Sequence, residues 1–172
     1  MKKIVVILIS IFLLVLDNSL LPDYSIMDSY PSLLFIFAIA YSIVCGKNEA
    51  IFMGVISGIL QDIYFVKGFG INSLSNLLLC FLAAKIGENI LKENKIVPVL
   101  STFILSIIKS VFVAIMLRLF NQSVNYSAAI LTAFYNSIIM IIVYNIVLAT
   151  CDKYMDNDRK TFIIFDYIFI FR

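Results

Sequence analysis

No histidine and no tryptophan occur among the 172 residues, and only 14% of them are charged. Without histidine the chain cannot build a histidine metal site, a Ser-His-Asp or Cys-His catalytic set, or a histidine-ligated haem. Cysteine is scarce as well. Cys45, Cys80 and Cys151 lie far apart with no C-x-x-C pair, so they read as small apolar fillers and imply no disulfide framework. A net charge of +2 is too small to suggest nucleic-acid binding. What is present is apolar surface: 62% hydrophobic residues and a mean hydropathy of +1.04, where a soluble domain has about half its residues apolar and about a quarter charged. The composition is that of an all-α integral membrane protein with little room for a separate soluble domain.

Six apolar stretches follow one another with short connections. The first runs from Ile4 to Leu21 after Met1-Lys2-Lys3; it lacks a small-x-small cleavage site and reads as an uncleaved span. An acidic loop, Asp23 to Tyr30, leads to Pro31, which opens a second span to about Cys45; proline suits a first helical turn, where its missing N–H costs nothing. Further spans are expected over 50–66, 71–86, 96–117 and 127–149, with turns at Gly46-Lys47-Asn48-Glu49, Lys67-Gly68-Phe69-Gly70 and Asn121–Asn125, and a charged loop at 88–95. A crossing helix needs roughly 17 to 25 mostly apolar residues, and the second span is short by that measure. The expected division is one six-helix transmembrane domain, 1–150, and a tail, 151–172. The tail starts charged and ends in Phe162–Phe171, which reads as an interfacial segment or an edge-like strand.

Basic residues set the orientation. With the N-terminus inside, Lys2, Lys3, Lys47, Lys85, Lys92, Lys95, Lys153, Arg159, Lys160 and Arg172 are cytoplasmic, and only Lys67 and Arg118 lie at the outer ends. Both termini are therefore expected in the cytoplasm, with the chain multi-pass in a bacterial plasma membrane.

The rest of the chain is organised around Gly54–Gly87. Ala50, Gly54, Gly58 and Asp62 recur every fourth residue, as do Asn72, Asn76, Cys80 and Ala84. Fourth residues share a helix face, so each helix carries a narrow small-residue seam that turns polar toward the shared turn. Such seams let membrane helices approach closely and hydrogen-bond across the contact. Ala50, Gly54, Gly58, Cys80 and Ala84 read as packing; Gln61, Asp62, Asn72 and Asn76 read as a polar cluster that is either structural or partner-binding.

Rise per residue, about 1.5 Å, lets depths be compared. Asp17 comes out roughly 20 Å from the inner end of its span, with Asp62 and Lys109 near the same height, and Asn72, Asn76 and Asn136 close by. Buried ionisable groups in a membrane are costly and usually paired, so Lys109 is expected to pair with Asp62 or Asp17. Asp17 reads equally well as a residue at the outer headgroups. Nothing forms a nucleophile–base set. Gly68-x-Gly70 is no phosphate loop, since it sits at a membrane turn without the G-K-[ST] and strand context. Tyr24, Tyr30, Tyr64, Tyr126 and Tyr154 read as interfacial anchors. No metal site, cofactor or enzymatic activity is expected.

Leu16-Asp17-Asn18-Ser19-Leu20-Leu21-Pro22 closing the first span, Pro31-Ser32-Leu33-Leu34 opening the second, and Gly54-x-x-x-Gly58-x-x-Gln61-Asp62 followed by Gly70-Ile71-Asn72-Ser73-Leu74-Ser75 together carry a resemblance. Over about residues 4–155 the chain resembles MreD, the rod shape-determining membrane proteins. Ser32 departs from the pattern, which leads one to expect an acid after the proline. The resemblance implies a non-enzymatic scaffold in the cell-wall elongation machinery (the elongasome). Its partners would be an MreC-like protein, a SEDS-type glycosyltransferase and a transpeptidase that build peptidoglycan, and indirectly MreB filaments. The third and fourth spans would then position the bundle to grip a partner's transmembrane helix.

The same arrangement of six short-looped helices also resembles the substrate-binding S component of energy-coupling-factor vitamin transporters, to whose fold the MreD fold is thought to be related. In that reading the polar layer is a vitamin pocket. Against it, Ile4–Leu21 lacks alanine and glycine, and so lacks the Ala-x-x-x-Ala docking face such components carry, and tryptophan is absent.

Overall fold

The computed structural model describes residues 3–25, 29–64, 69–89, 96–119 and 127–170, the last stretch beyond Cys151 as backbone only. Outside the described residues fall Lys2, Lys67, Gly68, the loop residues 90–95 with Lys92 and Lys95, the polar turn 121–125, Tyr126 and Arg172, and the side chains of Tyr24, Lys153, Tyr154, Arg159 and Lys160.

All the regular structure described is helical: α1 (Lys3–Ser19), a 3-10 turn at Leu21–Tyr24, α2 (Leu33–Cys45), α3 (Lys47–Tyr64), α4 (Ile71–Gly87), α5 (Ile96–Leu119) and α6 (Ser127–Ile170). Three segments are long and apolar enough to cross a membrane: Lys3–Asp23, Ile96–Leu119 and Ala129–Cys151. α2 and α4 are shorter apolar helices. α3 has the length but carries Lys47, Glu49 and Asp62.

α2 is the hub. Leu34 to Val44 is a run of buried residues, Ser42 included. A helix apolar on every face belongs inside a bundle, and α2 packs against each of the other five. Around it the contacts run α1–α3–α4–α5–α6. The ring does not close, because among the described residues the α1 and α6 backbones nowhere come within 8 Å. An apolar groove lined by Ile9, Leu13, Phe37, Val143, Ile146 and Thr150 runs there.

α2 and α3 are joined by one residue, Gly46, whose φ of +87° is a left-handed value that other residues adopt only under strain. α3 and α4 form the closest pair. A Cβ on Gly54 would stand 2.7 Å from the Leu77 Cα, and one on Gly58 would collide with the Ser73 Cα and stand 2.8 Å from the Asn72 carbonyl oxygen. The small-residue seam is thus filled by α4's own backbone. A partner's helix has no access to it; the seam brings α3 and α4 together, as small residues between helices allow.

Several helix limits differ from the expected spans, by two residues at the ends of α1 and α5 and more informatively at three places. α2 starts at Leu33, not Pro31, because a carboxylate from α1 takes the N–H groups of Leu33 and Leu34 and makes Ser32 the N-cap. α3 starts at Lys47, inside the expected turn. α6 continues as helix to Ile170, so the tail is not a strand.

Candidate functional site

The end of the bundle that holds the α1–α2, α3–α4 and α5–α6 connections, here the hairpin end, gathers the polar residues. Asp17, near the end of α1, accepts from the backbone N–H of Leu33 (2.7 Å) and Leu34 (3.0 Å) and from the Ser32 hydroxyl (3.2 Å). Asp62, near the end of α3, accepts from the N–H groups of Asn72 and Ser73 (both 2.9 Å) and from the Ser73 hydroxyl (2.5 Å). The first N–H groups of a helix have no partner within it and carry partial positive charge. Each carboxylate therefore caps the helix that follows it, and both are buried. Gly70, at φ +102°, makes the turn that starts α4 beside Asp62.

Between the two caps runs a chain of side-chain hydrogen bonds. Gln61 Nε2 donates to Ser32 Oγ at 3.0 Å, and Gln61 Oε1 accepts from Lys109 Nζ at 2.7 Å and from Asn76 Nδ2 at 3.0 Å. Asn76 Nδ2 also reaches Ser57 Oγ at 3.2 Å. Asn136 Oδ1 accepts from the Ser32 N–H at 3.0 Å, and its Nδ2 donates to Ser106 Oγ at 3.0 Å. One network thereby touches all six helices: Asp17 from α1, Ser32 at the start of α2, Gln61 and Ser57 from α3, Asn76 from α4, Lys109 and Ser106 from α5, and Asn136 from α6. Asn76 is fully buried, and its Oδ1 has no partner among the described residues.

Lys109 forms no ion pair with Asp17 or Asp62. Its ammonium donates to Gln61 and lies 4.3 Å from the centroid of the Phe35 ring, a cation–π contact. Charge and depth alone favour a Lys109–aspartate pair. The competing demand was the helix N–H groups, which occupy both oxygens of both carboxylates. Among the described residues the salt bridge that does form, Lys47–Glu88 at 2.8 Å, is at the opposite end, joining the start of α3 to the turn after α4. Lys3 over the Phe52 ring (5.0 Å) and the Tyr41 hydroxyl donating to Glu49 (3.1 Å) lie at that end too.

Of the residues singled out from sequence, Gln61, Asn76 and Lys109 meet directly. Asn72 gives its backbone N–H to Asp62 and lines a cleft beside Lys109. Ala50, Cys80 and Ala84 are wholly buried in the core. Tyr30 and Tyr64 are exposed at the hairpin end. Spacing and charge single out none of Ser106, Ser57 and Phe35, and the sequence marks Ser32 only as a departure from the resemblance. Ser32 carried a usable signal, since serine just before an apolar run is an N-cap signature. Ser106 and Phe35 sit in long apolar helices where spacing does not mark them. No group of three or more metal-ligating side chains occurs among the described residues.

The family model of the rod shape-determining protein MreD matches residues 1–154. The chain belongs to the MreD family. No curated protein and no solved structure gives a significant match. MreD proteins are membrane proteins of the shape-determining system. Gly54 to Ser75, within the matched range, builds the α3–α4 contact and the Asp62 cap. Ser32 occupies the centre of the network and makes hydrogen bonds in three directions.

Proposed function

We propose that the chain is a non-enzymatic membrane scaffold of the cell-wall elongation machinery, a six-span bundle with both termini cytoplasmic. It would act with an MreC-like protein and with the SEDS-type glycosyltransferase and transpeptidase, and through them with MreB filaments. The observation that carries this is the network from Asp17 to Asn136: it ties six helices into one body and spends its polar groups on holding the helices together. A body so tied, with minimal connections, suits a fixed platform for other membrane helices. With the glycine seam filled, the groove between α1 and α6 is the face we assign to a partner's transmembrane helix. Its lining is almost wholly apolar, from Ile9, Leu13 and Phe37 to Val143 and Ile146, as a contact between helices inside a bilayer allows.

Affinity capture from native membranes in mild detergent, with partners identified by mass spectrometry, tests the reading. Recovery of the MreC-like protein and the wall synthases is expected, with loss of the former after Ile146→Trp in a folded protein. Recovery of a transporter membrane subunit with its ATPases would replace it with the S-component reading. A cleft beside Lys109 favours that alternative.

A further inference from the structure

Lys109 is the charge in the network that makes no salt bridge among the described residues; the Asp17 and Asp62 carboxylates act on it only from beyond direct contact. Asp17 and Asp62 have both oxygens engaged by helix N–H groups. An ammonium has three N–H donors; one reaches neutral Gln61, and the Phe35 ring covers one side. An ionised group so placed is expensive unless something neutralises it.

The space for such a group exists. Lys109 lines a cleft of about 310 Å³ between α5 and α6. Thr132 offers a hydroxyl there, that of Ser110 being donated to the Ser106 carbonyl at 3.0 Å, while Val113, Ala114 and Leu117 give an apolar wall. A second recess of about 520 Å³ shares Lys109 and Thr132 and extends to Asn18 and Tyr64 at the hairpin end. Asp17 lines this recess, but its oxygens are turned to the start of α2. Polar groups and a cation at one end and aliphatic side chains along the wall are the complement of an amphiphile.

We propose that the cleft binds an amphipathic anion, a phosphate on an apolar chain, with the phosphate on Lys109 Nζ and the chain along Val113, Ala114 and Leu117. The Thr132 hydroxyl donates to a remaining phosphate oxygen. The chemistry is the same whether the phosphate belongs to a bilayer phospholipid or to a single-chain phosphate ester, and it does not depend on the wall-elongation reading.

The test is native mass spectrometry of the full-length protein in non-ionic detergent, titrated with dioleoylphosphatidylglycerol or with dodecyl phosphate. Phosphatidylcholine and inorganic phosphate are the controls. A charge-assisted contact of this kind corresponds to about 10- to 100-fold in affinity, so Lys109→Met should weaken the anionic amphiphile by that factor. Lys109→Arg should keep it. Val113→Phe, which fills the apolar wall and leaves the cation, should weaken it too. Circular dichroism melts confirm that each variant is folded. Preference for phosphatidylglycerol assigns the site to a bilayer lipid, and preference for dodecyl phosphate to a single-chain ester; either supports the proposal. Equal binding by wild type and Lys109→Met would overturn it. So would inorganic phosphate binding as tightly as both amphiphiles.

Discussion

Asp17 and Asp62 occupy equivalent places in two successive hairpins. Each stands near the end of one helix and accepts two backbone N–H groups and one serine hydroxyl at the start of the next. The carboxylate meets the positive end of the helix dipole and satisfies donors that apolar surroundings would otherwise leave bare. The helices of a pair are thus tied at their common end by groups on the chain itself.

Removing either cap should be costly. Asp62→Ala strands the N–H groups of Asn72 and Ser73, and an unmade buried hydrogen bond costs about 1–3 kcal/mol. A loss of about 2–5 kcal/mol is expected for Asp62→Ala, with Asp62→Asn clearly milder because an amide oxygen still accepts. Thermal melts of the detergent-solubilised protein measure both. An asparagine variant as unstable as the alanine one would mean that the negative charge, and not the acceptor, is what α4 needs.

Gly58→Leu is expected to break the bundle itself. The added side chain meets the backbone of α4, which cannot yield without separating the two helices. Low yield in membranes and rapid proteolysis should accompany it, and Gly58→Ala should already be impaired. A stable Gly58→Leu protein with native helix content would show that α3 and α4 do not pack at this distance.

Gln61 is a shared acceptor and donor, so its loss should be non-additive with that of Lys109. Gln61→Leu alone leaves the ammonium, the Asn76 amide and the Ser32 hydroxyl each short of a partner. Combining it with Lys109→Met removes the most expensive of these. The double variant is expected to be more stable than Gln61→Leu alone by about 1–3 kcal/mol, within the range for residues in one network. A strictly additive cycle, read from the same melts, would disconnect the pair.

The Lys47–Glu88 bridge should matter little. Both side chains are about half exposed, at 43% and 46%, and such pairs are worth about 0–1 kcal/mol and weaken with salt. Glu88→Gln should leave the melt nearly unchanged at any ionic strength. A large effect would place this end of α3 and α4 in a drier setting.

Much of the architecture could be read from residue order. Gly54 and Gly58 at fourth-residue spacing announce a close helix contact, and their partner is the seam of the next helix, as sequence adjacency favours. The polar layer was visible because Asp17, Gln61, Asp62 and Lys109 interrupt apolar runs at comparable depth. The pairing within that layer was not visible. Charge suggested Lys109 with an aspartate, whereas the unpaired N–H groups that claimed the aspartates belong to every helix start and leave no mark in composition. Ser32 was read as a departure from a pattern, yet its position between Asp17, Gln61 and Asn136 is set by three other helices. The centrality of α2 was half legible: its unbroken apolar run said buried, but not that five neighbours would enclose it.

That enclosure bears on the one helix whose length least suits a bilayer. α2 has 13 residues, about 20 Å of helix, against a hydrocarbon layer about 30 Å thick. Thickness mismatch is a penalty levied where helix meets acyl chains, and from Leu34 to Val44 the side chains of α2 meet protein. Its length is answerable to its neighbours and to the two ends of the bundle it links, so lipid thickness should act on the longer outer helices and leave the centre untouched.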